Sequence, residues 1–157
     1  MHGFTLGSTS IVIQSHIIGM FLPSLITGTL IKKYGHSLII YSGAFIYLIC
    51  IFLSFYDQTF INYLIALVLL GIGWNFLFIG GTSLLVLCYK ESEKFKVQGF
   101  NDVLVFSIQS IASLTAGYSI LKFSWNEINL VCIPLVLLII LVSIRADIYK
   151  KKLAFKS

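Results

Sequence analysis

Charge is what this sequence has least of. Of its 157 residues only 11% are Asp, Glu, Lys or Arg, against roughly 25% in soluble domains, which need polar groups to cover their surface. Acid is the rarer sign, with six carboxylates in the whole chain and none in the middle of an apolar run. A water-facing exterior is therefore excluded for most of the molecule. The shortage also leaves no carboxylate pair and no nucleophile–base pair, so no enzymatic chemistry is expected. Cysteine is scarce as well. Cys50, Cys88 and Cys132 stand apart within or beside apolar runs, without a C-x-x-C pair or a His/Cys cluster at metal-ligand spacing. They read as small buried hydrophobes, and neither a metal nor a cofactor is expected. Met1-His2-Gly3 lacks the basic region of a secretory leader, and no small-residue cleavage site comes after it.

What the chain has in quantity is apolar surface: 58% hydrophobic residues and a mean hydropathy of +0.97. Lipid is the solvent that such a surface fits. Five apolar runs, 11–31, 38–55, 60–88, 103–121 and 128–144, are long enough to cross a hydrocarbon core of about 30 Å as helices. The expected fold is thus an all-α integral membrane protein of five transmembrane helices, one domain over 1–157 with a tail at 145–157. The third run exceeds one crossing and must tilt, kink or protrude. Gly71, Gly73, Gly80 and Gly81 offer it kink or close-packing points. Pro23 removes a backbone donor inside the first run and should kink it. The polar turn Tyr56-Asp57-Gln58-Thr59 closes the second run.

The placement of the basic residues orients these spans. Of eleven Lys and Arg, ten fall in the bend at Lys32-Lys33, the segment with Lys90, Lys94 and Lys96, and the tail from Arg145 to Lys156. Five crossings put all three segments on one side and leave Lys122 alone on the other. By the positive-inside rule that side is cytoplasmic, in the plasma membrane, with the N-terminus outside. An outside N-terminus with an odd number of spans implies that a preceding helix is missing. The same placement, between spans, argues for membrane topology and against a nucleic-acid partner for the net charge of +5. Tyr149-Lys150-Lys151-Lys152 suits anchoring to anionic headgroups.

The bend from Gly28 through Lys32, Lys33 and Tyr34 to Gly35 resembles the cytoplasmic loop motif G-x-x-x-D-[R/K]-x-G-[R/K]-[R/K] of the major facilitator superfamily. Gly28, Lys33 and Gly35 match; Lys32 stands where the acid belongs, and His36-Ser37 replace the basic pair. Loss of the acid favours the second copy of the motif, between helices eight and nine. Ser15 to Ser24 is similar to the helix leading into that loop. Gly71-Ile72-Gly73-Trp74-Asn75-Phe76 with Gly80-Gly81-Thr82 is similar to helix ten, and Lys94 to Asp102 to the entry of helix eleven. The resemblance covers nearly the whole chain and implies helices eight to twelve, a partial C-terminal half-bundle. Helices two to six are the poorer alternative. It further implies secondary transport of a small solute near the midplane between two halves, of which this chain has less than one. A missing or separate N-terminal half is the implied partner, besides the lipid bilayer.

Polar groups inside spans are costly and often functional. Gln14, Trp74, Asn75 and Gln109 are the candidate substrate-lining residues. Against that stand plainer roles: Gln14 bonded to a neighbouring helix at the interface, Asn75 cross-linking helices, Trp74 facing lipid. Ala112/Ala116 and Ser113/Gly117 form small-x-x-x-small pairs suited to helix contact. Asp102 is expected to cap the start of the fourth span. The chain is thus either a fragment of a solute transporter that is inactive alone, or a membrane-embedded scaffold that binds a half-transporter and moves nothing itself.

Overall fold

The computed structural model describes residues 5–56 and 59–154. Asp57 and Gln58 of the polar turn and Lys156 of the tail lie outside the described residues, as do the side chains of Tyr149, Lys150, Lys151 and Lys152.

Helices alone make up the regular structure of the described residues: α1 Leu6–Phe21, α2 Ser24–Tyr34, α3 His36–Tyr56, α4 Phe60–Leu85, α5 Lys94–Lys122 and α6 Trp125–Ala154. Taken through the break at Pro23, α1 and α2 form one crossing, so five helical segments are long and apolar enough to span a bilayer. Local chemistry fixes their ends. The Thr5 hydroxyl accepts the Ser8 N–H at the start of α1, and Thr59 does the same for Asn62 at α4. Before α6, Ser124 donates its N–H and hydroxyl to Glu127, whose own N–H returns to the Ser124 hydroxyl, a reciprocal cap. At Gly35 the backbone takes φ +85°, where an L side chain is strained, and α2 stops while α3 begins one residue later.

α4 is the centre of the bundle, held between α1 and α3 at backbone contact. A Cβ on Gly71 would lie 2.5 Å from the His16 carbonyl, and one on Gly19 2.8 Å from the Val68 carbonyl. On the other face, a Cβ on Gly43 would meet the Gly73 carbonyl at 2.9 Å. Without a hydrophobic effect inside lipid, such small-residue contacts are what allow helices to gain dispersion energy over their length. α6 lies on the far side of α3, where Ala44, Ile51 and Val136 form a small core with Tyr47 and Leu77 packed around it.

The charged segments collect at one end of this bundle. Asp147, late in α6, accepts hydrogen bonds from Ser37 at 2.5 Å and Tyr41 at 2.7 Å, both early in α3. Gly80, near the end of α4, closes on Ile40 of the same region. The Lys32-Lys33 bend, the turn after α4 and the Arg145 end of α6 therefore share an end. At the opposite end the Asn62 amide reaches the Leu53 carbonyl between α3 and α4.

α5 departs from the sequence expectation. It begins at Lys94, because Lys90 donates its N–H to the Glu93 carboxylate and Glu93 its own to the Lys90 carbonyl, winding the turn well before the apolar run. Asp102 consequently sits within the helix, bonded to Asn101, and caps nothing. No residue of α5 is buried, and it touches the bundle only sparingly, at α6.

Candidate functional site

The richest polar constellation inside the apolar region grows out of Pro23. Having no N–H, this residue leaves the Gly19 carbonyl without its helical donor, and α1 ends two residues earlier. Leu22 still bonds Ile18, but Leu25 turns back to Leu22 at 3.3 Å, and the regular ladder resumes only with Thr27 to Pro23. Side chains occupy the carbonyls that the break releases. Ser24 donates its hydroxyl to the Phe21 carbonyl. Asn75, from the middle of α4, donates its amide N–H to the Met20 carbonyl at 2.7 Å. The Thr27 hydroxyl lies 2.7 Å from the Asn75 carbonyl oxygen and 2.8 Å from that of Pro23, so its one proton is shared between them. Among the described residues Asn75 and Thr27 are the two largest side chains buried completely, at 1% and 0% exposure. A buried amide engaged at both ends fits the rule that interior polar groups are satisfied.

One turn nearer the helix start, His16 donates its Nδ1 proton to the Leu67 carbonyl at 2.8 Å, since a carbonyl can only accept. His16, the Gly19/Gly71 contact and the Asn75 amide thus join α1 to α4 along successive turns.

The remaining candidate residues lie apart from this centre. Trp74, adjacent to Asn75 in sequence, points to another face of α4, half-buried and stacked on Phe78 with centroids 4.7 Å apart and planes 10° from parallel. Gln14 is exposed on α1, its amide bonded to Ser10 within the same helix. Gln109 is exposed on α5 and does not line the shallow open face that Asp102, Phe106, Ser107 and Ser110 form on that helix. No hydrogen bond among the described residues joins Gln14, Trp74 and Gln109 to one another. In the bend, Gly28 faces open space, Gly35 makes the turn, and the Lys33 ammonium stays 5.1 Å from the neighbouring Tyr34 ring.

Sequence reasoning passed over Thr27 and the Ser37–Tyr41–Asp147 cluster. Thr27 carried a signal, a hydroxyl four residues after a proline, placed to answer the carbonyls of a break. Asp147 carried none, since its partners are 110 and 106 residues away.

Comparison with known proteins covers almost the whole chain. The model of the Major Facilitator Superfamily matches residues 2–156. The riboflavin transporter RfnT of Brucella anthropi is 34% identical over 139 residues, 88% of this chain but 35% of that protein. Two Bacillus subtilis proteins described as uncharacterized MFS-type transporters are similar to the same degree. YdeG is 36% identical over 83% of this chain and 31% of its own length, and YddS 34% identical over 87% and 33%. The chain thus spans about a third of the length of the curated relatives it matches. No solved structure matches it.

Proposed function

The chain belongs to the Major Facilitator Superfamily, and from that premise we propose that it forms part of a membrane transporter for a small solute and works only with further helices. The observation that carries the second clause is α5. A helix of 29 residues without one buried side chain, displaying Ser107, Ser110, Ser113 and Gly117, has the surface of a packing partner and lacks the partner. Relatives about three times as long have ample chain to supply it. Alternating access also needs two bodies moving about a site between them, and five crossings are less than one such body in this family.

For the solute, a planar heteroaromatic such as riboflavin is the first candidate, on two supports. One is the Brucella relative named for riboflavin. The other is the half-buried, nearly parallel Trp74–Phe78 stack, an aromatic pair of the kind on which a planar ligand can stack. In this reading Trp74, Gln14 and Gln109 line the path, while the Asn75 amide is engaged within the bundle. The Lys-rich end faces the cytoplasm of a cell whose plasma membrane holds the protein.

Riboflavin flux into proteoliposomes is the test. The chain alone should give no flux above protein-free vesicles, and flux should appear when the remaining two thirds of the Brucella relative is reconstituted with it. Flux by the chain alone would overturn the requirement for further helices. A stable complex that moves neither riboflavin nor any other ring-bearing solute would overturn the carrier reading in favour of a scaffold.

A further inference from the structure

We infer that the Asn75 amide is a latch that sets the bend of the first span, so that the α2 arm and α4 move as a coupled pair. The inference does not depend on which solute is carried. It begins with a deficit in the backbone. A break at Pro23 frees carbonyls in a medium with no water to satisfy them. Met20 is one, and the group that answers it comes from another helix, the Asn75 amide at 2.7 Å. The bend can then take up only angles at which α4 presents that amide.

Two further observations make the contact a device for coupling more than a general helix adhesive. First, the fulcrum is rigid. Gly19 and Gly71 meet backbone to backbone one turn before the break, where a Cβ on Gly71 would lie 2.9 Å from the Gly19 carbonyl carbon. Second, the amide holds both sides of the break at once. Its nitrogen takes Met20 in α1, while its oxygen faces Thr27 in α2, whose hydroxyl also reaches Pro23. Straightening or further bending at residues 22–23 changes the spacing of Met20 and Thr27, which one side chain on α4 holds at both ends. The exposed Lys32-Lys33 bend rides on the end of that arm.

The test is a double-substitution cycle read by hydrogen–deuterium exchange on the full chain in nanodiscs. Asn75→Leu should speed exchange in the segment 19–27 on the order of tenfold, the factor that corresponds to one hydrogen bond's net worth. Exchange in α3 should stay unchanged. Pro23→Ala restores a helical donor and lets the ladder close without help from α4. In that background Asn75→Leu should change exchange in 19–27 less than twofold. Equal effects in both backgrounds would make Asn75 an ordinary interhelical tie and overturn the latch, as would no effect in either. If Asn75→Leu does not assemble, Thr27→Val removes the α2 side of the latch at nearly constant volume and reads the same cycle with the same criteria.

Discussion

Gly71 and Gly28 are the same residue in opposite situations. At Gly71 an added methyl would enter the backbone of α1, whose His16 carbonyl cannot move aside as a side chain would. Gly71→Ala should force α1 away from α4, a strain of about 1–3 kcal/mol, read as a lower midpoint of unfolding in detergent. Gly28→Ala meets nothing within 4 Å on the exposed side of α2. There the substitution should stabilise the helix slightly, by up to about 1 kcal/mol. Gly35 is a third case, its φ of +85° being the reason for the residue, and Gly35→Ala should cost about 1–2 kcal/mol although space is open around it. In the sequence Gly71 stood as a kink or close-packing point and Gly28 and Gly35 as matches to one loop motif, which does not tell an open position from a strained turn. Periodicity places a residue on a helix face but does not say which neighbour covers that face. Asn75 shows the same limit. Its polarity inside an apolar run marked it as consequential, yet that its amide meets Met20 and Thr27 follows only from where α1 and α2 pass.

Among the elements, the five crossings and the break at Pro23 were legible because hydropathy and the missing proline donor act locally. The start of α5 was not. Hydropathy rises only near Val103, whereas the helix is wound upstream by the bonds between Lys90 and Glu93. The tie between α3 and α6 was equally hidden, since a serine and a tyrosine on one helix meet a single aspartate on another. Tyr41→Phe removes a hydrogen bond to a carboxylate while keeping the ring. Tyr41 is half-buried and its bond to Asp147 only partly shielded, so the loss should be near 1 kcal/mol and not the larger worth of a fully buried charged bond. Its signature should be local. Exchange should quicken at the Arg145 end of α6 and at the start of α3, and stay constant at the Asn62–Leu53 end of the bundle.

At the scale of the whole molecule, five of the six described helices pack closely on a neighbour and α5 stands largely apart. α3 and α6 share a core with Leu77 of α4, α1 packs on α4 and α2 on α3 and α4, while α5 displays Ile108, Ile111, Leu114 and Leu121 on its exposed surface. A nitroxide at Ser110 should therefore be mobile in the chain alone and become immobilised when the remaining helices are supplied, whereas one at Ala44 should be immobile throughout. Beneath the whole arrangement lies a set of bilayer crossings whose basic segments share one face. The hydrogen bonds of Asp147 bring two of those segments to the same end of the bundle, and Lys122 lies after α5, one crossing away. Labelling of single cysteines by a membrane-impermeant maleimide in intact cells, in a Cys88→Ser background, tests this most directly. Lys122→Cys should react at once, and Lys33→Cys only after the membrane is permeabilised; reaction of both, or of neither, in intact cells would contradict it.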